Sequence, residues 1–273
     1  MISGRVYDSD RRPPAAIEEL LAVIQYRDLI VQLVRRDIVA RYKRSALGVA
    51  WTMLGPIGTM VVTSIVFARV FGRGPGYPAY VLSGLLAWRF FAQTTTSGMR
   101  QILWGGTLMH RIYVPKSVFV ISAVGTGLVN VLLSLIPLVG VMLIVRVPLH
   151  STIVLFPVSL LILAAFTLGM GLLLATLAVY FPDIAEMYEI VLTAWQYLTP
   201  IIYPEDILPR IVRTYLLNLN PMYHLVKLFR EPLYLGIWSS PSRIALAAAM
   251  AALTLAIGWA VFTGKSDEFA YRI

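Results

Sequence analysis

The chain has 273 residues, of which 58% are hydrophobic and only 14% are charged, and its formal net charge is +9. Soluble domains are about 45–50% apolar and about 25% charged, so this composition excludes a disordered chain and argues strongly against a soluble enzyme. The chain has no cysteine, which excludes disulfides, thiolate metal sites and cysteine nucleophiles.

The N-terminal 48 residues form the first predicted segment. Its first 30 residues carry charges of both signs without an apolar stretch, so they do not form a cleaved signal peptide. In residues 27–44, apolar residues recur at helical spacing among many cations. This pattern predicts an amphipathic helix in a membrane interface, with its cations near anionic lipid head groups. An ordinary solvated helix is the alternative, but direct continuation into an apolar run favours the interface.

Six apolar stretches follow, each a candidate membrane crossing of about 20 residues. Five are uncharged or nearly so: 45–68, 74–99, which is interrupted by Arg89, 117–145, 147–182 and 244–264. The other is less clear, because the short run 190–204 becomes a full span only when it is extended back to residue 183, with acids at that end. Backbone groups in lipid must be satisfied internally, and these runs do not alternate as the strands of a barrel would. The sequence therefore predicts an all-α polytopic membrane protein, with six transmembrane helices in a domain over 49–265 and a short cytoplasmic tail over 266–273.

The distribution of lysine and arginine predicts the orientation. Six crossings place both termini on one side of the membrane. With the N-terminus in the cytoplasm, the inner segments carry more lysine and arginine than the outer segments, as expected for a protein of the cytoplasmic (inner) membrane. Basic loops of this kind explain the net positive charge, so no nucleic-acid partner is expected.

Residues 204–243 combine five prolines with many apolar residues, a composition unlike that of a solvated loop. We expect two short amphipathic helices within 204–236, broken near 218–221, that re-enter the outer leaflet. Irregular backbone at membrane depth is tolerated where protein or a water-filled cavity covers it.

The sequence offers little for catalysis. The three histidines, His110, His150 and His224, lie in different loops without metal-ligand spacing, so we predict no metal site. Gly264, Lys265 and Ser266 resemble the end of a phosphate-binding loop, but Trp259 stands where that motif needs a glycine. We therefore predict no catalytic residue and no ATPase activity in this chain.

Several segments together resemble a known family. Residues 36–51 read RDIVARYKRSALGVAW and lead into LGP at 54–56; IYVPK follows at 112–116, YFPD at 180–183, TPIIY at 199–203 and NLNP at 218–221, with Arg230 beyond. In this order they resemble the ABC-2 type permeases that export O-antigen, teichoic acid and capsule polysaccharides. The resemblance covers roughly residues 28–236. Many relatives have a basic residue where this chain has Pro182.

The resemblance implies a homodimer of six-helix subunits with two ATP-binding cassette subunits, which bind ATP and Mg, while this chain holds no cofactor. It also implies that a lipid-linked glycan passes through a channel between the two permeases, surrounded by membrane lipids. We predict the main ATPase contact at residues 107–117. The coupling candidates are His110, Arg111, Tyr113, Pro115 and Lys116.

Aromatic rings suit the apolar faces of sugars, so some aromatic residues of the spans are expected to line the channel, although core packing or lipid contact is the alternative for each. The channel candidates, which include one cation, are Trp51, Phe67, Trp88, Arg89, Phe90, Phe91, Tyr188, Trp195, Tyr197 and Tyr203. Arg89 is a costly charge within a span; it meets a pyrophosphate of a lipid carrier, pairs with an acid or extends to the interface. Candidates for an outer seal are Tyr203, Leu216, Leu217, Tyr223 and Phe229.

Two other functions remain open at this stage. An ABC-2 exporter of drugs or lipids has the same architecture and a different cargo. A polytopic glycosyl or phosphoryl transferase belongs to another class, and it would show clustered acids or histidines at one membrane face, which the sequence lacks.

Overall fold

The computed structural model describes residues 14–43, 48, 50–71, 74–104 and 114–272. All regular secondary structure in these ranges is helical. The α-helices are α1 (Ala15–Gln25), α2 (Arg27–Tyr42), α3 (Ala50–Phe67), α4 (Tyr77–Trp104), α5 (Ser117–Ile144), α6 (Phe156–Tyr180), α7 (Ile184–Leu198), α8 (Pro221–Arg230), α9 (Pro241–Lys265) and α10 (Phe269–Arg272). The predicted helical class is therefore confirmed for this part of the chain.

Four helical segments of the described chain are long and apolar enough to cross a membrane. They are α3, α5, α6 with the preceding 3-10 turn Ser151–Leu155, and α9 with the following turn Ser266–Glu268. These segments coincide with the first, third, fourth and sixth predicted crossings. The chain is thus a multi-pass membrane protein.

Helix α4 lies at the centre of the bundle and packs against α3, α5, α6, α7 and α8. Its 28 residues extend about 42 Å, more than the hydrocarbon thickness of about 30 Å. Its composition is nevertheless less apolar than that of the four segments, because its residues include polar ones that are buried, such as Ser83, Thr94 and Thr95. Since neighbouring helices cover this helix, its composition is set by protein contacts rather than by lipid.

The closest helix pair is α6 against α9. Gly169 and Gly258 allow this contact, because a Cβ at Gly169 would lie 2.5 Å from the backbone nitrogen of Leu255. Small residues at helix crossings permit such close backbone approach in membranes. Gly169 on α6 and Gly258 on α9 are therefore packing residues at this helix crossing.

Helix α7 is short. Its 15 residues extend about 22 Å, and the helix ends at Leu198, before the TPIIY turn. The outer segment follows with the 3-10 turn Glu205–Ile207, the π-helical turn Val212–Leu217, α8 and the π-helical turn Glu231–Leu235. The predicted break near 218–221 coincides with the start of α8, where Asn220 caps the helix by accepting from the Met222 backbone N–H at 3.0 Å.

The N-terminal helices and the C-terminal segment pack on one end of the bundle. Glu19 of α1 accepts hydrogen bonds from the Ser117 backbone nitrogen and hydroxyl at 3.1 and 2.6 Å, and so caps α5. Leu33 of α2 is buried against α5, and Phe269 is buried against Phe262. The sequence analysis predicted no helix before residue 27, so α1 is an addition that the structure makes.

Candidate functional site: a polar cleft in the helical bundle

Arg89 lies midway along α4 and faces α3. Its Nη2 donates to the Thr59 hydroxyl at 3.0 Å. Gly55 makes room for the guanidinium, since a Cβ there would lie 2.7 Å from Nη1. Within the described chain, no acidic side chain forms an ion pair with Arg89. Of the three alternatives for this charge, pairing with an acid thus finds no support in the described residues.

Arg89 belongs to one of two rows of polar residues that line the same cavity. On α4, Arg89, Gln93 and Ser97 are four residues apart and share one helix face. On α5, Thr126, Asn130 and Ser134 have the same spacing. Both rows line one cavity of about 200 Å³, which α3 closes with residues that include Trp51, Thr52 and Pro56. We call this cavity the polar cleft.

Thr126 of the polar cleft lacks the hydrogen bond that other threonine hydroxyls of the bundle make. Its side-chain oxygen is buried without a hydrogen-bond partner, and the residue is 7% exposed. Other threonines of the bundle, such as Thr95, Thr167 and Thr176, donate to the carbonyl four residues earlier. The Thr126 hydroxyl is therefore an unsatisfied buried group beside the polar cleft, and such a group is costly when no partner is supplied.

Of the ten channel candidates, Trp51, Arg89 and Phe90 line the polar cleft. The others that are buried belong to a packed aromatic cluster between α4, α6 and α7. Within this cluster, the rings of Phe91 and Trp195 are edge to face with centroids 5.3 Å apart, and the rings of Trp88 and Trp195 are 6.1 Å apart. Tyr188 is 4% exposed and its hydroxyl hydrogen-bonds to Thr95 at 2.7 Å.

The remaining channel candidates lie near the surface of the single chain. Phe67 is 37% exposed and Tyr197 is 65% exposed. Tyr203 is half-buried in the TPIIY turn, where its hydroxyl donates to the Tyr197 carbonyl at 2.7 Å. The ten candidates therefore occupy three separate places in the subunit rather than one continuous surface.

A second arginine organises the outer end of the bundle. Arg230 at the end of α8 is 6% exposed and donates to the carbonyls of Pro200 and Ile201 at 3.2 and 3.1 Å. Its guanidinium carbon lies 3.7 Å from the centre of the Tyr80 ring. These contacts hold the TPIIY turn against α4 and α8, and we call them the outer clamp.

Beside the outer clamp, Glu205 accepts hydrogen bonds from Lys227 at 2.8 Å and Tyr223 at 2.5 Å. These groups border a cavity of about 320 Å³. Burial by itself raises the pKa of the Glu205 carboxyl, but the hydrogen bonds from Lys227 and Tyr223 and the Lys227 charge hold that pKa below its ordinary value. The cluster ties the Glu205–Ile207 turn to α8.

The outer-seal candidates differ in their surroundings. Leu217 and Phe229 are in the core, and Phe229 stacks edge to face on Phe156 at 5.1 Å. Tyr223 is half-buried in its contact with Glu205, whereas Leu216 is 43% exposed. Leu216 is therefore the seal candidate that is most accessible from outside the subunit.

Most of the predicted coupling contact, including His110, Arg111 and Tyr113, lies outside the described residues. Pro115 is buried, and Lys116 donates to the Ser266 carbonyl and lies 5.4 Å from the centre of the Phe269 ring. Burial lowers the pKa of the Lys116 ammonium, although the carboxylates of Asp267 and Glu19 oppose this shift. Lys116 thus contacts the C-terminal segment within the subunit.

Within the described part of the chain, no three histidine, aspartate or glutamate side chains gather in a way that could hold a metal. His224 hydrogen-bonds to the Asn218 carbonyl at 3.0 Å, and His150 packs against Gly236. Both have local packing or hydrogen-bonding roles.

Comparison with known proteins agrees with this architecture. A family profile described as "ABC-2 type transporter" matches residues 28–234. The chain belongs to the ABC-2 type transporter family. This match covers α2 through the outer segment, and it leaves α9 as the long helix beyond the matched region.

Three relatives are similar over most of their length. The chain is 33% identical to an O-antigen export system permease protein, RfbA, of Myxococcus xanthus, over 91% of this chain and 96% of that protein. It is 26% identical to an RfbA permease of Klebsiella pneumoniae over 75% of this chain and 79% of that protein. It is 22% identical to the polysialic acid transport protein KpsM of Escherichia coli, over 85% and 91%.

The sequence analysis singled out Arg89 but missed most of the polar cleft. The signal was present, since Gln93 and Ser97 continue the Arg89 face of α4 at four-residue spacing. The same spacing relates Thr126, Asn130 and Ser134 within an otherwise apolar span. Polar residues repeated at this interval within a membrane helix mark a polar face, which needs a protein partner, water or a ligand.

Proposed function

We propose that this chain is the membrane subunit of an ATP-driven exporter that moves a lipid-linked polysaccharide, O-antigen-like in type, across the cytoplasmic membrane. The observation that carries the proposal is the 33% identity to an O-antigen export permease over nearly the whole of both chains. ATP and Mg would bind to a separate ATP-binding cassette partner, two copies of which would drive two copies of this chain.

The proposal includes six crossings with both termini in the cytoplasm. Helices α4 and α7 would add two crossings to the four apolar segments. Helix α4 is long enough to cross and is covered by protein on most sides, whereas α7 requires the flanking 181–183 and 199–204 segments to complete its path. Because the chain has no cysteine, single cysteines at loop positions, labelled from either side of the membrane, would map each crossing.

A homodimer would enclose the channel. Several helices have exposed apolar faces that could serve this purpose, among them α3, where Ile65 is 74% exposed, and α7, where Ile190 is 73% exposed. Each must contact lipid or a second subunit. Cysteine pairs placed on these faces should cross-link between subunits if they meet in the dimer.

The outer segment 204–236 would re-enter the outer leaflet and close the channel between transport cycles, because packed apolar side chains can close a pore by dewetting. Leu216→Ser is the sharpest test, since Leu216 is exposed and Phe229 is in the core. The variant should raise ion conductance and leave dimer assembly intact. Unchanged conductance together with unchanged export would show that Leu216 is not part of a gate.

Reconstitution tests the whole proposal. Vesicles containing this chain and its ATPase should move a lipid-linked glycan to the opposite leaflet only with ATP and an intact ATPase. Movement of drugs or phospholipids without movement of glycans would favour the alternative exporter class. ATP hydrolysis by the purified chain alone would contradict the proposal that a separate ATPase subunit hydrolyses the ATP.

Contact with the ATPase is proposed at residues 107–117. Single cysteines in this loop should cross-link to cysteines on the ATPase surface. Strong cross-links from residues 180–187, with none from 107–117, would reverse the assignment.

A further inference from the structure

We propose that the polar cleft binds the phosphate or pyrophosphate head group of a membrane-embedded lipid carrier, with Arg89 as its counter-charge and the Thr126 hydroxyl as a hydrogen-bond donor. This inference rests on the proposed function, which it deepens by assigning a place in the subunit to the lipid end of the substrate. The place is the cleft between α3, α4 and α5.

Charge is the first argument. Among the described residues that line the cleft, Arg89 carries the only formal charge. A guanidinium inside a membrane span is costly unless a counter-charge or polar surface meets it. One hydroxyl, that of Thr59, meets it within the subunit. An anion in the cleft would supply the missing counter-charge, and a phosphate matches the planar fork of a guanidinium with two parallel hydrogen bonds.

The unpartnered hydroxyl is the second, independent argument. Thr126 lies on the opposite wall from Arg89, and its buried oxygen makes no hydrogen bond. If Thr126 served only for packing, valine would serve as well, because it has the same shape and no hydroxyl to leave unsatisfied. A phosphate oxygen between α4 and α5 would accept from Thr126.

Size and access favour a lipid head group over a sugar chain. The volume of about 200 Å³ is below the range of about 300–1,000 Å³ that is typical of pockets for drug-sized ligands. A phosphate or pyrophosphate fits this space, and several sugars do not. Trp51, which lines the cleft, is 61% exposed, and Leu54 beside it on α3 is 42% exposed. An isoprenoid tail leaving the cleft would meet this apolar surface.

Titration calorimetry of the full-length chain in lipid nanodiscs tests the site with three probes: farnesyl pyrophosphate, farnesol and inorganic pyrophosphate. Farnesyl pyrophosphate should bind and farnesol should not, because only the former carries the charge. Inorganic pyrophosphate that binds as tightly as the lipid would identify a free-anion site and overturn the lipid assignment. Absence of binding by farnesyl pyrophosphate, as expected if a second subunit's side chain fills the cleft, would overturn the proposal.

The variants separate this site from general stability. Arg89→Gln should weaken farnesyl pyrophosphate binding by about tenfold or more, because a charge-assisted hydrogen bond is lost, and Arg89→Lys should recover part of it. Thr126→Val, which keeps the side-chain shape, should weaken binding by about three- to tenfold. Arg100→Gln, on the same helix and outside the cleft, should bind as the wild type does. Equal binding by wild type and Arg89→Gln would overturn the proposal.

A pair of glycines gives a matched control. Gly55→Ala would displace the Arg89 guanidinium and weaken binding, whereas Gly58→Ala, which has open space around its Cβ, should not. Parallel export assays keep the two proposals distinguishable. Normal export with binding that does not depend on Arg89 would refute the site alone. Arg89-dependent binding without glycan export by the wild type would refute the export function alone.

Discussion

Two arginines, Arg89 and Arg230, have guanidinium groups within the helical bundle, and they differ in the groups that contact those guanidiniums. Each places a guanidinium among packed helices, and each lies beside a glycine, Gly55 or Gly84, that makes room for it. At the outer clamp, Arg230 donates to two backbone carbonyls and stacks on Tyr80. In the polar cleft, Arg89 meets one hydroxyl and an open cavity.

This difference separates an arginine that stabilises the fold from one that is available to a ligand. The clamp carbonyls belong to Pro200 and Ile201 in the turn after α7. Both residues are buried, and buried carbonyls need hydrogen-bond donors. Arg230 meets that need within the subunit. Among the described residues, Arg89 donates to one acceptor, the Thr59 hydroxyl. Its guanidinium therefore retains the capacity to bind an anion.

The largest expected effect comes from removing each guanidinium. Arg230→Met should lower the free energy of unfolding by about 2–5 kcal/mol, because it removes the donor to the buried Ile201 carbonyl and leaves the Pro200 carbonyl with only the 3.4 Å bond from the Tyr80 hydroxyl. Arg89→Met should change it by less than about 1 kcal/mol, because one hydrogen bond is lost and a buried charge is removed. Denaturant unfolding in detergent, followed by tryptophan fluorescence, measures both. Equal losses of unfolding free energy in the two variants would show that both arginines stabilise the fold to the same extent.

Alanine at the two glycines should give the next largest difference. A Cβ at Gly84 would clash with the Arg230 guanidinium and lie 3.3 Å from the Ile201 side chain. Since the clamp fixes this guanidinium, Gly84→Ala should cost about 1–3 kcal/mol of unfolding free energy. Gly55→Ala meets only the movable end of Arg89 and should cost less than about 0.5 kcal/mol. A greater loss for Gly55→Ala would show that Arg89 is held as rigidly as Arg230.

The ring beneath Arg230 sharpens the comparison further. Tyr80→Leu should lower the free energy of unfolding by about 1–2 kcal/mol through loss of the cation–π contact and the hydroxyl hydrogen bond. Tyr80→Phe keeps the ring and should lose about half as much, because it removes only the hydroxyl, which donates to the Tyr203 carbonyl at 3.1 Å and to the Pro200 carbonyl at 3.4 Å. Thermal unfolding of both variants checks the order. If Tyr80→Phe proved as costly as Tyr80→Leu, the ring contact would contribute nothing.

The smallest expected effect is a dependence of the protein's stability on pH, through Glu205 beside the outer clamp. Because the pKa of Glu205 is lowered in the folded protein, its contribution to stability is present above the ordinary carboxyl pKa and is lost as pH falls through the lowered value. The melting temperature should therefore drop by a few degrees between neutral and acidic pH. Lys227→Met should reduce the part of this drop that belongs to Glu205. An unchanged pH profile in that variant would show that the pair contributes no stability.

Much of the architecture could be predicted from the sequence because lipid imposes a simple rule. Long uncharged runs must become helices when no water is present to satisfy the backbone. This rule placed α3, α5 and α9 within five residues of their observed bounds, whereas α6 begins nine residues after the start of the predicted crossing. The break predicted near 218–221 also coincides with the start of α8, where Pro221 stands in the first turn and Asn220 is the cap, positions that these residues favour.

Helices α4 and α7 were harder to place because composition alone does not set their surroundings. Helix α4 tolerates polar residues at its centre since protein covers it. Helix α7 ends at Leu198 although apolar residues continue beyond it. The chain turns there, and Arg230 donates hydrogen bonds to the Pro200 and Ile201 carbonyls of that turn.

The residue types and their spacing were determined by the sequence alone: a cation within a span, aromatic residues in several spans, and polar residues four positions apart on α4 and α5. Only the tertiary structure decided which of them meet. It placed Trp88, Phe91 and Trp195 in a packed core and Arg89 beside a cavity. The physical reason is that helical spacing fixes which residues share a face, whereas the partner of that face depends on how helices distant in the chain pack together.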